Sequence, residues 1–209
     1  MYTKLIRLLM YLVNIRPNFL FTINTLSQFM VGPKRVHLEA ARHILRYVLG
    51  TVEYGLKYTL EDDIRLNGFT DADWVGNSVD RKGTLEYSFS VGSGMIYWCN
   101  KKHNSLALSL AEAKYMSTYI ITCKVIWLRK LHVSFFRKWM EVTSIFYDNQ
   151  SCIKISKNIV FHDQSKYIND ICHFIRDCVQ CGAVRLWYVS TGNKVADILI
   201  KSLGKAMFI

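Results

Sequence analysis

The stretch "GFTDADWVGN", residues 68–77, sets two carboxylates, Asp71 and Asp73, just after an apolar run. Asp148 follows "TSIFY" in the same manner, and Asp197 sits near the start of the last helical pattern. Taken singly, an aspartate in such a place closes a strand or caps a helix. Taken together, carboxylates at the ends of neighbouring strands repel one another unless a divalent cation neutralises them. Magnesium suits such a set, because it takes oxygen ligands, uses few protein carboxylates and keeps water and substrate phosphates in its shell. Paired ions of this kind stabilise the attacking and leaving oxygens of a phosphodiester displacement.

Bringing those aspartates together needs strands that lie side by side. From residue 59 the pattern is extended: "YTLEDDIRLNGFT" reads as strand pieces around an acidic turn, and "LEYSFSVG" and "MIYWCN" as a hairpin closed at Ser93-Gly94. A long helix follows over about 109–136, then a short buried strand ending at Asp148 and a short helix from about Ser151. A further helix spans about 165–180, with Gly182 as its stop, and "AVRLWYVS" is the last strand. That order predicts a mixed α/β sheet flanked by helices. Residues 1–58 read as helical throughout. Leu5, Leu8, Leu9, Leu12 and Val13 recur at helical spacing, and a second helix covers about 18–31. A third runs from Lys34 to Leu49 with Gly50 as its cap. In that third helix Val36, Ala40, Ala41, Ile44, Leu45 and Val48 form one apolar face. Arg35, Arg42 and Arg46 form the other, either a solvated face or a stripe toward phosphate.

Half of the 209 residues are apolar (51%) and 13% are aromatic, enough to build a packed core. The formal charge of +11 favours polyanions, nucleic acid before acidic membranes. The six cysteines follow apolar or helical patterns and read as reduced, intracellular thiols. Cys178 and Cys181 form a C-x-x-C with no second ligand pair, so a zinc site is not expected. The apolar run Leu8–Val13 is too short for a signal peptide, and no run reaches the roughly 20 residues that span a bilayer. An intracellular protein without a membrane segment is expected, in cytoplasm or nucleus. Trp74, Trp98, Trp127 and Trp187 fall in strand or helix patterns and are expected in the core.

The words "GFTDADWVGN", "DRKGT", "ALSLAEAKYM", "VIWLRKL", "YDNQSCI", "VFHDQSKYI", "CHFIRD" and "VADILIK" occur in this order. With them the chain resembles the end of the Pol polyprotein of copia-type LTR retrotransposons. Residues 64–209 match its ribonuclease H domain, and residues 1–58 the thumb or connection part of its reverse transcriptase. The resemblance implies a ribonuclease H-like, mixed five-stranded sheet flanked by helices and preceded by a small helical segment. It also implies hydrolysis of the RNA strand of RNA–DNA hybrids at a two-metal site using Mg2+, with Mn2+ as a substitute. Three of the four acidic positions fall on Asp71, Asp148 and Asp197, the implied metal ligands.

The remaining position departs from the pattern. The family's glutamate stands directly before the tyrosine, where "SLAEAKYM" has Lys114. Glu112 lies two residues earlier, about 200° around an ideal helix, and points away. Impaired cleavage is therefore expected. Gly83, Glu86, Tyr167 and Ile200 also replace usual residues. Arg81, Lys82, Lys101 and Lys102 are candidates for phosphate contacts, and Asn149 and Gln150 for a 2′-hydroxyl. The implied partners are an RNA–DNA hybrid and the remainder of the reverse transcriptase in a full-length polyprotein. The alternative is a remnant that binds nucleic acid without cleaving it. No Y-x-D-D polymerase word is present, so DNA synthesis is not expected.

Overall fold

The computed structural model describes residues 1–53, 55, 58–59, 65–73, 84–102, 110–147, 153 and 166–189; for 71–73, 84, 101–102, 110–114 and 166–168 only the backbone is described. The chain divides into two compact units, one holding Met1–Thr59 and the other Leu60–Ala196.

The first unit contains α1 (Tyr2–Leu12), a 3-10 turn (Pro17–Phe19), α2 (Leu20–Ser27) and α3 (Arg35–Gly50). In α1 the buried stripe is Tyr2, Ile6 and Leu9, continued by Val13. Steps of four, three and four keep that stripe on one side of a helix with 3.6 residues per turn. Leu8, expected inside with Leu9, lies about 100° round from it and is exposed. The α3 face is likewise narrower than expected: Ala41 and Ile44 are buried, whereas Val36 and Leu45 are exposed. Arg35, Arg42 and Arg46 are all exposed, with Arg35 ion-paired to Glu39 one turn on.

Gly50 is not the cap of α3 but its last residue. Arg16 closes this end instead, donating to the Thr51 carbonyl at 3.0 Å and to Thr51 Oγ1 at 2.9 Å, while Thr51 Oγ1 donates to the Tyr47 carbonyl at 2.7 Å. Side chains thus satisfy the terminal carbonyls, and no left-handed glycine is needed.

The second unit is a five-stranded sheet in the order β3-β2-β1-β4-β5. Its strands are β1 (Leu66–Asp73), β2 (Thr84–Val91), β3 (Gly94–Lys102), β4 (Thr143–Tyr147) and β5 (Val184–Tyr188). The first three form an antiparallel meander, and β4 and β5 run parallel to β1. Helices α4 (Leu110–Phe136) and α5 (Lys166–Gln180) link the parallel strands. Parallel neighbours need such crossovers, whereas β1–β3 need only turns. The core lies between sheet and helices, around Phe89, Ile121, Val125, Ile145, Ile175 and Val184. Each fully buried side chain of this kind contributes roughly 1.5–3 kcal/mol.

Gly182 ends α5 as expected. It has φ +73°, its N–H donates to the Val179 carbonyl, and the Ala183 N–H donates to the Cys178 carbonyl. This pair of bonds around a left-handed glycine satisfies the last helical carbonyls and turns the chain into β5.

Gly68 lies where α4 crosses β1. A Cβ there would come within 3.1 Å of Phe89 Cε1 and 3.4 Å of Ile121 Cδ1. Both side chains are fully buried and cannot swing away. Gly68→Ala is expected to lower stability by about 1–2 kcal/mol through overpacking. A urea titration that finds the variant as stable as the parent would show that this contact yields freely.

Candidate functional site

Asp71 lies near the carboxyl end of β1 and pairs with Glu86 of β2. Glu86 is only 4% exposed. Its Oε1 accepts a hydrogen bond from Asn100 Nδ2 of β3, and its carbonyl accepts one from Thr70 Oγ1 at 3.1 Å. A buried carboxyl therefore stands directly across the strand from the first candidate ligand.

On the other side β1 pairs in parallel with β4, Asn67 opposite Ser144 and Phe69 opposite Phe146. The Phe69 and Phe146 rings stack with centroids 5.1 Å apart. Tyr147, the last residue of β4, is 1% exposed, and its hydroxyl shares a 3.1 Å hydrogen bond with Ser117 Oγ of α4. The bond fixes the early part of α4 against the end of β4, and Lys114 precedes Ser117 by just under one turn. Lys101 and Lys102 belong to β3, their backbones opposite Leu85 and Thr84. Asp148, Asp197, Arg81, Lys82, Asn149 and Gln150 lie outside the described residues.

Cys172 and Cys178 are buried, and Cys181 is exposed. Burial pushes the Cys178 thiol up to about 11, with Cys181, Cys123 and Asp177 adding to it. The thiol stays protonated at neutral pH and is a poor nucleophile and metal ligand. Among the described residues no group of three or more His, Cys, Asp or Glu side chains is placed to hold a metal ion. No helix among them is long and apolar enough to cross a membrane.

An apolar cavity of about 500 Å³ lies at the other end of α4, lined by Leu66, Val91, Leu128, Phe135 and Met140 among others. It is remote from the Ser117–Tyr147 contact and holds no carboxylate.

Two tryptophans depart from expectation. Trp127 and Trp187 are 49% and 47% exposed. Trp127 carries the Lys124 ammonium over its ring at 5.0 Å, and Trp187 carries the Arg185 guanidinium at 5.9 Å. The only sequence signal for the second was the alternation in "VRLWY", which sends Val184 and Leu186 inward and Arg185 and Trp187 outward.

Three antiparallel strands extended by two parallel ones in the order 3-2-1-4-5, with helical crossovers, define a domain of ribonuclease H-like fold. The chain is 34% identical over 207 residues to the retrovirus-related Pol polyprotein from transposon RE1 of Arabidopsis thaliana, covering 99% of this chain and 14% of that one. Its homologues are copia-type retrotransposon Pol polyproteins. The corresponding protein from transposon TNT 1-94 of Nicotiana tabacum is 33% identical over 208 residues, 99% of this chain and 16% of its own. The chain thus spans about one-seventh of the length of these relatives. Secreted RxLR effector protein 161 of Plasmopara viticola is 35% identical over 128 residues, 61% of this chain and 90% of its own. No family model matches. Among solved structures, LC11-RNase H1, isolated from compost, is similar at 11% identity and a TM-score of 0.45, over 65% of this chain and 91% of that one. Strand order and pairing, not that likeness, define the fold.

Proposed function

We propose that residues 64–209 form a ribonuclease H-type domain for RNA–DNA hybrids, and that residues 1–58 are the thumb- or connection-like end of a reverse transcriptase. Asp71, Asp148 and Asp197 hold divalent cations, magnesium or manganese, and Lys114 weakens that hold. The pairing of β1 with β4 carries this reading. Phe69 stands opposite Phe146 in parallel strands, and Asp71 and Asp148 each follow that pair by two residues. Carboxylates that follow a paired couple of adjacent strands by the same two steps in sequence would suit a cation that takes oxygen ligands. When bound, such ions neutralise charge that builds up on the phosphodiester.

The protein's own groups have separate tasks. The hydrogen bond between Ser117 and Tyr147 holds α4 against the strand that leads into Asp148. Arg81, Lys82, Lys101 and Lys102 contact phosphates, and Asn149 and Gln150 contact the 2′-hydroxyl that separates RNA from DNA. In a full-length polyprotein the remainder of the reverse transcriptase is the partner of the helical unit. Lys114 itself favours a second reading, a domain that binds the hybrid without cleaving it.

Binding separates both readings from an unrelated role. Neutralising four phosphates predicts an affinity for a short RNA–DNA hybrid that falls about a hundredfold between roughly 50 and 200 mM salt. Fluorescence anisotropy with a labelled hybrid measures it. No binding at the lower salt would defeat both readings.

A further inference from the structure

We propose that the outward face of β5, formed by Arg185 and Trp187, is a stacking contact for unpaired bases of a nucleic-acid strand that runs on beyond the hybrid. The inference rests on the hybrid-binding reading and extends it to a surface that no ribonuclease H motif marks.

β5 is an edge strand whose inward residues Val184 and Leu186 are buried and whose outward residues Arg185 and Trp187 are exposed. Trp187 is level with Phe146 of β4, which is level with Phe69 of β1. The three aromatics make a row across the sheet, on the face away from Ile121 of α4. Phe69 and Phe146 are half-buried and stacked on each other, so only the outermost ring of the row is open to a ligand. The Arg185 guanidinium lies over that ring, where it orients the indole and stands ready for a phosphate.

Charge decides what approaches this face. The described side chains that β4 and β5 present here are Ser144, Phe146, Arg185 and Trp187, none of them acidic, on a chain of net charge +11. An exposed indole beside a cation is the combination that binds single strands without sequence preference, because every base offers a π-face. Strand geometry sets the reach. The Cα of Asp71 lies two residues beyond Phe69 and two strands from Trp187, roughly 12 Å away. A strand leaving the candidate site needs only a few nucleotides to arrive at Trp187.

The test compares a blunt RNA–DNA hybrid with the same hybrid carrying a short single-stranded DNA extension, by anisotropy, with the full chain. The extension should tighten binding about tenfold. Trp187→Ala should abolish that gain and Trp187→Phe keep part of it, while affinity for the blunt hybrid stays within about twofold in all three proteins. Thermal melts of Trp187→Ala matching the parent would exclude a folding defect. An extension that adds nothing, or a gain that survives Trp187→Ala, overturns the inference and leaves hybrid binding standing. Failure of the blunt hybrid to bind overturns the underlying reading as well.

Discussion

Lys114→Glu is expected to raise cleavage of an RNA–DNA hybrid at least about a hundredfold over the unaltered chain, for which cleavage at or near background is expected. Helix α4 is continuous from Leu110 to Phe136, so the register of its early residues is fixed by its packed middle. Ser117 is held to Tyr147 Oη at 3.1 Å, and Tyr147 immediately precedes Asp148 in sequence. Position 114, just under one turn before Ser117, is the place on α4 that the proposed site assigns to its missing ligand, while Glu112 is turned about 200° from it on an ideal helix. An ammonium about 4 Å from a divalent ion is repelled by at most roughly 8 kcal/mol at an effective dielectric of 20. The flexible lysine stem relieves much of this by swinging outward, but the missing ligand remains. Glutamate reverses the sign and supplies an anionic oxygen; Lys114→Gln, which removes the charge and offers only a neutral amide oxygen, should fall between. A fluorescent hybrid assay with magnesium and with manganese reads all three proteins. Efficient cleavage by the unaltered chain would refute the electrostatic account.

Arg129→Met lowers the stability of the sheet unit by about 3 kcal/mol, the largest loss expected from a side chain outside the apolar core. The guanidinium donates to the Met140 carbonyl at 3.0 Å, to the Glu141 carbonyl, and to Thr143 Oγ1 at 3.1 Å. It thereby satisfies the return from α4 into β4, where Arg137 adopts a left-handed φ of 53° and Thr143 is fully buried. Burial lowers the Arg129 pKa and Cys181 nearby opposes this, yet the group remains a cation at any ordinary pH. Methionine keeps the packing volume and leaves those oxygens without a donor. Lysine, lacking the planar fork, should recover less than half of the loss. Urea unfolding followed by circular dichroism measures both. A loss below about 1 kcal/mol for methionine would mean that water replaces the guanidinium readily.

Much of the sheet was legible because its signals are local. Alternation in "LEYSFSVG" marks the β2–β3 hairpin, although its turn is Gly92-Ser93, with Gly92 at φ 55°, one residue before the expected Ser93-Gly94; Gly182 has the left-handed φ its helix stop requires. The errors came from partners far away in sequence. Gly50 stands where a helix cap is expected from the local pattern, but Arg16, 35 residues before Thr51, satisfies that end. Leu8 and Val36 are apolar yet exposed, because helical spacing gives a stripe and not the width of the surface that meets it. Trp127 and Trp187 were expected inside because bulk and strand or helix pattern do not say whether a neighbour covers the ring. For the candidate site, the strand carrying Asp71 and the helix carrying Lys114 were legible from the words around them. The parallel register of β1 with β4 and the tie between Ser117 and Tyr147 were not, since both depend on how separate elements meet.

Manganese binding to the intact protein, followed by electron paramagnetic resonance, reaches the central claim without relying on turnover. The carboxylate set predicts weak binding by the unaltered chain, at least tenfold tighter binding by Lys114→Glu, and loss of that gain when Asp148→Asn is added. Equal affinity in the unaltered and Lys114→Glu proteins, or a gain that persists with Asp148→Asn, would contradict a shared cation site at the ends of β1 and β4.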